Sequence, residues 1–322
     1  MSMATAPASN LAGVLAALGA SFVFSINDAA IKFLADDYAL HQVVLMRSVV
    51  GMVLILAVIV PWEGGYHLLR TRRLGVHLLR GACLVVANMA FFLALAAMPL
   101  AEAVAIFFVS PMLITLFSVV FLAERVGPRR WVAVAGGLLG VVIMLRPGTG
   151  AFQAAALLPL LAAAAYAVLH TLTRRIGATE RAATMAFYIQ IAFLLSSLAM
   201  GLAFGDGRFA AQDDPSLAFL LRGWVWPAAA DWPLIVLVGV SSAMGGFLIS
   251  QAYRLCEAAL VAPFEYVAMP LAIFWGVAIF GEWPDAVTWT GIALILGGGL
   301  YMIWREAVQG RRIASRRPQA PR

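Results

Sequence analysis

Charged residues are scarce in this chain, and lysine is nearly absent. Only 12% of the 322 residues are charged and 63% are hydrophobic, whereas a soluble domain is about a quarter charged and about half apolar. Lys32 is the single lysine and lies in an apolar run, which excludes a phosphate-binding GxxxxGK loop, and the sequence has no HExxH motif. Cys83 and Cys256 stand alone in apolar stretches, so neither a disulfide framework nor a thiolate metal site is expected. We therefore expect an integral membrane protein that is not an enzyme and holds no cofactor or metal.

Ten apolar runs lie between charges, prolines and polar clusters, and most of them are about as long as a membrane-spanning helix. The predicted helices are Leu11–Leu34, Gln42–Val60, Val76–Ala97, Glu102–Ala123, Trp131–Leu145, Ala154–Thr173, Thr184–Phe204, Pro233–Leu255, Ala262–Phe280 and Ala286–Trp304. The first is expected to be retained and not cleaved as a signal peptide, because no basic residue precedes it. The sequence thus predicts an all-α integral membrane fold.

The basic residues are distributed unevenly between the two sides of these helices. With a cytoplasmic N-terminus, 17 of the 22 basic residues fall in cytoplasmic connections or in the tail. Positive charge in short loops marks the cytoplasmic side, so both termini are predicted to face the cytoplasm of a bacterial inner membrane. This topology explains the net charge of +6 without nucleic acid as a partner. The tail after Arg305 is expected to contact anionic membrane lipids, and the long connection Gly205–Trp232 is expected to be an ordered loop with an aromatic belt.

The second half of the chain repeats a pattern found in the first. The segment Pro99–Pro111 aligns with Ala258–Pro270, and each is followed by an apolar helix, a Glu, a Trp and a Gly-rich helix. Because each unit holds an odd number of helices, five, the second copy enters the membrane from the opposite side. We predict two inverted five-helix repeats, at 11–147 and 154–306, and a basic cytoplasmic tail at 307–322. Many secondary transporters have this architecture.

Polar side chains within the predicted helices are the candidate residues for substrate binding and translocation, because charge in a spanning helix is costly unless it faces protein or water. The set is Asp28, Lys32, Arg47, Asn88, Tyr166, His170, Gln190, Tyr253, Glu265 and Tyr266. Asp28, Lys32 and Arg47 are predicted to form a charge cluster in the outer half of the pathway, with Asp28 paired to one of the two bases. The alternative is that these charges form a structural contact between the first two helices and do not contact substrate. Glu265 either caps its helix or faces the cavity.

Two prolines at matching places in the repeats are predicted to act as hinges or gates. Pro111 and Pro270 each remove a backbone hydrogen bond and can kink their helices, and matching kinks would let the two halves open alternately. Glycines at Gly136 and Gly140 form a GxxxG pattern that favours close packing of the fifth helix.

The repeated pattern of Pro, Glu, Trp and Gly-rich helix resembles the drug/metabolite transporter superfamily, specifically its EamA-domain family. The resemblance extends from about Leu11 to Trp304 and implies a ten-helix transporter that moves a small-molecule substrate by alternating access. Members of the superfamily include amino-acid exporters, among them exporters of aromatic amino acids, and importers of riboflavin and S-adenosylmethionine. The first hairpin is similar to those importers in five residues, Asn27, Asp28, Lys32, Gln42 and Arg47.

We expect export of amino acids or similar small polar metabolites, by a protein that works as a monomer. An amino acid brings both charges, so that Lys32 and Arg47 would meet its carboxylate while Asp28 or Glu265 would meet its amino group. Import of a nucleoside- or flavin-like metabolite is the alternative within the same class. From other classes, a channel or a membrane-embedded lipid-modifying enzyme stays open.

Overall fold

The computed structural model describes residues 7–71, 73–122, 128–146, 154–176, 182–255 and 264–315, and within these residues the chain is helical without β-strands. The second helix, α2, spans Leu40–Leu54. It is followed directly by a π-helical turn, Ile55–Ile59, and by one more α-helical turn, Val60–Glu63. The helices are α1 Pro7–Leu34, α2 Leu40–Leu54, α3 Leu74–Ala97, α4 Leu100–Phe107, α5 Ser110–Leu122, α6 Pro128–Leu145, α7 Leu157–Ile176, α8 Ala182–Phe204, α9 Pro215–Leu221, α10 Trp232–Leu255, α11 Ala268–Phe280 and α12 Ala286–Ser315.

Length and apolar composition mark this chain as a multi-pass membrane protein. Five helical segments of the described chain are long and apolar enough to cross a bilayer: Leu11–Leu34, Leu40–Glu63, Leu74–Ala97, Ala183–Phe204 and Trp232–Ile249. Shorter apolar helices occupy the other five predicted positions, at Leu100–Ile114, Val134–Leu145, Ala154–Leu169, Ala268–Phe280 and Ala286–Tyr301. The all-helical membrane fold is therefore confirmed, while ten crossings and the division into inverted repeats stay predictions.

The fourth and ninth predicted helices are each interrupted, which corrects their description as single continuous helices. A turn at residues 108–109 separates α4 from α5, and a turn at 266–267 precedes α11. Each turn comes shortly before a proline, Pro111 or Pro270. Proline cannot donate a backbone hydrogen bond and its ring clashes with the carbonyl four residues earlier, so the chain tightens there, as in the hydrogen bond from Val109 N to Ile106 O at 3.1 Å.

Helices of the two sequence halves interlock. The largest packing surfaces join α1 to α10, α6 to α12 and α3 to α7, and each pairs one helix from the first half with one from the second. The α6–α12 contact is close because glycines face each other: a Cβ at Gly140 would lie 2.9 Å from the carbonyl oxygen of Gly291. The GxxxG glycine at this position therefore does serve packing.

The connection between α8 and α10 is an ordered cover over the ends of α1 and α3. Its short helix α9 buries Phe219, which is 1% exposed. The Ser216 hydroxyl donates to the Leu93 carbonyl at 2.9 Å, and the Arg222 guanidinium donates to the Ala35 carbonyl at 2.9 Å. The expectation of an ordered connection is confirmed.

Candidate functional site

A small cavity lies between α1, α4 and α11, next to the two helix interruptions. Its volume is ≈ 30 Å³, which holds about one or two water molecules. The described residues that line it are Phe24, Ser25, Asp28, Leu100, Val104, Ala268 and Ala272. Asp28 is the one charged side chain among these seven, so the described part of the lining is apolar with a single carboxylate.

The surroundings of Asp28 provide few partners for its charge. Asn27 donates a hydrogen bond from Nδ2 to Asp28 Oδ1 at 3.2 Å, a long bond for a charged acceptor. The neighbouring hydroxyl of Ser25 is already engaged, because it donates to the Phe22 carbonyl at 2.8 Å and accepts from the Trp275 indole at 3.1 Å. Within the described chain Asp28 forms no ion pair, so the predicted pair with Lys32 or Arg47 is not formed.

Lys32 binds the second half of the chain. Its Nζ lies 2.8 Å from Glu282 Oε1 and donates to the Met98 carbonyl at 2.6 Å. The other carboxylate oxygen, Glu282 Oε2, accepts from the backbone N–H of Leu100 at 2.9 Å, one of the N–H groups that the start of α4 leaves without an intrahelical partner. We call this group, made by Lys32, Met98, Leu100 and Glu282, the Lys32 latch. The predicted charge cluster is corrected here, since the acid that pairs with Lys32 lies 250 residues further along the chain.

Arg47 lies in a different part of the bundle, between α2, α3 and α8. The side chain is 2% exposed, and its guanidinium carbon sits 5.0 Å from the ring centroid of Phe92 and 4.9 Å from that of Phe193. Its Nη2 donates to Asn88 Oδ1 at 3.2 Å. The surroundings are those of a helix-joining cation held by two aromatic rings, and Arg47 attracts Asp28 electrostatically without direct contact.

The two helix interruptions meet through aromatic rings. Phe108, in the first turn, stacks on Tyr266, in the second, with ring centroids 4.9 Å apart. Next to them, Tyr166 of α7 lies 5.4 Å from the ring of Phe107, and Glu265 interacts electrostatically with both tyrosines. The structure therefore brings Tyr166, Glu265 and Tyr266 together beside the interruptions.

The remaining predicted residues are scattered. Gln190 is buried in α8 and packs closely against Gly51 of α2. A Cβ added at Gly51 would lie 2.5 Å from the amide nitrogen of Gln190. The side chains of His170 and Tyr253 fall outside the described residues. Pro111 is half-buried and Pro270 is exposed.

A second layer of polar contacts surrounds the Lys32 latch. The Thr288 hydroxyl shares a hydrogen bond with Glu102 Oε1 at 3.0 Å, and Arg146 forms an ion pair with Asp285. Asp285 also accepts from the backbone N–H of Thr288 at 2.8 Å, as the N-cap of α12. This backbone hydrogen bond, with the help of Arg146, lowers the pKa of Asp285 from 3.8 to about 2. Nothing in the local sequence around Glu282 and Asp285 indicates that these two acids reach Lys32 of α1 and Arg146 at the end of α6.

Part of the chain matches a known protein family. Residues 11–146 match the family described as "EamA-like transporter family". The match covers the first of the two predicted repeats, and over these residues the chain is similar to the EamA-like transporter family. The resemblance deduced from the repeated pattern is thereby confirmed, and a transporter family implies a small-molecule substrate.

Relatives of this chain carry different names. A riboflavin transporter of Rhizobium johnstonii is 29% identical over 313 residues, which cover 97% of this chain and 98% of that protein. An S-adenosylmethionine uptake transporter of Rickettsia prowazekii is 26% identical and covers 88% of this chain and 89% of its own. A pseudopaline exporter of Pseudomonas aeruginosa is 28% identical and covers 88% and 93%. One solved crystal structure has a similar fold, with a TM-score of 0.62 at 21% identity over 94% of this chain and 99% of its own. Amino-acid export is not supported by these names.

Proposed function

We propose that this EamA-like transporter imports a nucleoside- or flavin-like metabolite across the bacterial inner membrane by alternating access. The observation that carries the proposal is the charge of the cavity, where Asp28 is the one ionisable side chain among the described lining residues. The names of the riboflavin and S-adenosylmethionine relatives support the same class of substrate. The proposal replaces amino-acid export, our first expectation from the sequence.

The positions of the two cations weaken the case for an amino acid. Amino-acid binding would need a cation beside the cavity to meet the carboxylate, a demand that the carboxylate of S-adenosylmethionine shares and that riboflavin does not make. Lys32 is paired with Glu282 at 2.8 Å, and Arg47 is enclosed by Phe92 and Phe193. A ligand rich in aromatic surface suits an apolar cavity better, because base and flavin rings gain from apolar and aromatic contacts.

The interruptions before Pro111 and Pro270 supply the hinges that alternating access requires. A discontinuous helix can bend at its break while its two halves stay rigid, and transporters commonly place substrate at such breaks. Here the cavity-lining residues Val104 and Ala268 each lie within four residues of a break. The aromatic pair of Phe108 and Tyr266 would separate when one half moves against the other.

The cavity of ≈ 30 Å³ is far smaller than the roughly 300–1,000 Å³ typical of a small-molecule site. A nucleoside- or flavin-like ligand would therefore need the helices around this cavity to move apart. With the arginine-rich side in the cytoplasm, the Lys32 latch lies at the outer end of the bundle. Binding from outside would then need the latch to open.

Transport into proteoliposomes tests the proposal directly. We expect saturable uptake of labelled riboflavin or S-adenosylmethionine, and loss of that uptake in Asp28→Asn. The matched control is Asp206→Asn, which neutralises an exposed aspartate whose ion pair with Arg208 is confined to one loop. Uptake of amino acids alone would refute import of a nucleoside- or flavin-like metabolite, as would transport in the outward direction only.

A further inference from the structure

The Lys32 latch joins the two halves of the chain through the Lys32 ammonium group and the backbone N–H of Leu100, both of which bind Glu282. Lys32, Met98 and Leu100 belong to the first half, and Glu282 follows α11 in the second. The side chains of the ion pair are 11% and 22% exposed, so the pair is partly shielded from water and its attraction is stronger than that of a surface pair. Separating Glu282 from Lys32 and Leu100 would break both of the bonds by which the latch holds the two halves together.

Asp28 lies one helical turn before Lys32 on the same helix. Residues four apart in an α-helix are neighbours, and an acid that precedes a lysine by four positions is the favourable order for an ion pair. In the closed arrangement Lys32 turns away from Asp28 towards Glu282, and Asp28 is left with the long hydrogen bond from Asn27. A carboxylate in an apolar cavity without a paired cation is costly, so Asp28 is stabilised there either by a proton or by a positive charge from elsewhere.

We propose that Asp28 and Glu282 compete for Lys32, and that a positively charged group of the substrate decides the competition by taking the place of Lys32 at Asp28. When the outer end is open and no ligand is present, Lys32 pairs with Asp28. A cationic ligand at Asp28 releases Lys32, which then binds Glu282 and closes the latch. This inference rests on the proposed function and narrows it to substrates that carry a cation.

The other charges near Asp28 do not fill this role. Arg47 attracts Asp28 from a distance, but its guanidinium is held between Phe92 and Phe193 and donates to Asn88. Closing on an empty site would leave Asp28 without a cation, so that its carboxylate would have to take up a proton or stay uncompensated. Closing on a bound cation leaves each carboxylate paired, which couples occupancy of the site to the position of the gate.

The accessibility of a cysteine placed in the cavity measures the latch without a transport assay. Val104→Cys, in a background with Cys83→Ala and Cys256→Ala, puts a thiol on the cavity wall. A membrane-impermeant maleimide added outside intact cells reaches this thiol only when the outer end opens, and labelling after denaturation gives the total amount of protein. Glu282→Gln should raise the labelling rate, and Asp28→Asn should lower it, each by about 5-fold or more if the coupling has the usual size.

Asp206→Asn is the matched control for both variants and should leave the labelling rate unchanged, because its ion pair with Arg208 has the same 2.8 Å length but joins residues of one loop. Asp28→Asn and Glu282→Gln are both isosteric, so changes in side-chain volume are avoided. If Glu282→Gln labels at the parent rate, the latch does not close the outer end. If Asp28→Asn labels at or above the parent rate, Asp28 does not compete for Lys32, and the proposal fails.

Two probes test the charge of the ligand. S-adenosylmethionine, which carries a sulfonium and an ammonium group, should slow labelling of the parent and have no effect on Asp28→Asn. Riboflavin has no fixed charge and should leave labelling unchanged. If riboflavin slows labelling, or if S-adenosylmethionine does not slow it, the inference that the substrate carries a cation is wrong. If the variants behave as expected but neither compound is transported, the latch mechanism stands and the proposed function fails.

Discussion

The close contact between α6 and α12 permits a sharp test of the packing. Alanine at position 140 would place its Cβ 2.9 Å from the carbonyl oxygen of Gly291 and 3.0 Å from atoms of both Leu294 and Ile295. Three neighbours, one of them backbone, would have to move together. Alanine at position 136, one turn earlier on the same helix, would meet nothing within 4 Å.

The difference between the two variants isolates the contact. Exchange of glycine for alanine inside a helix brings about 1 kcal/mol of helix preference at either position, and this gain cancels in the comparison. Overpacking of a close-packed site costs about 1–3 kcal/mol. Gly140→Ala is therefore expected to be less stable than Gly136→Ala by about 1–3 kcal/mol.

The thermal stabilities of the two variants can be compared in detergent. Each purified variant is heated, and the monodisperse protein that remains is measured by size-exclusion chromatography. Gly140→Ala should lose its peak at a lower temperature than both the parent and Gly136→Ala. Equal melting of Gly136→Ala and Gly140→Ala would show that α6 and α12 do not pack through Gly140, and would refute this part of the fold.

Three further predictions concern topology, a helix cap and a buried cation. A reporter fused after Arg305 should report the cytoplasm and one within residues 205–231 the outside, and the opposite result at both would refute the inverted topology. Asp285→Ala should destabilise the protein by about 1 kcal/mol through loss of a cap; because the folded pKa of about 2 lies below the ordinary 3.8, this contribution is present above pH 3.8 and lost as the pH falls through 2. Stability losses from Arg47→Gln and Asn88→Ala should be non-additive by about 0.5–3 kcal/mol, whereas additive losses would show that the two side chains act separately.

The sequence predicted most of the helical fold because apolar runs and charge breaks are local signals. The runs ending at Leu34, Ala97 and Phe204 end there in the structure. The interruptions were predicted only in part, since Pro111 and Pro270 were identified as kinks but the turns before them were not. Proline lacks a backbone N–H, and the position of each turn depends on which backbone carbonyls find other donors. That depends on neighbouring helices, which a single run of sequence does not reveal.

The candidate site was harder to predict, because its contacts join residues far apart in the chain. Asp28 and Lys32 have the spacing of a helical ion pair, and local reasoning paired them. Glu282 was seen as the end of a repeated pattern, yet nothing in that pattern indicates that its carboxylate reaches both Lys32 and the start of α4. Local preference and tertiary contact compete for the same ammonium group, which is also the basis of the proposed gate.

The choice of lysine at position 32 fits an exchange between two carboxylates. The other 21 basic residues of the chain are all arginines, so the lysine at position 32 is an exception. An ammonium group is a compact charge with three rotatable donors, whereas a guanidinium binds a carboxylate through a planar, two-pronged arrangement that is harder to leave. Lys32→Arg should therefore keep the latch closed, slowing both labelling of Val104→Cys from outside and substrate uptake, while preserving the folded protein. Uptake at the parent rate in Lys32→Arg would mean that the positive charge alone matters and that no exchange of partners takes place.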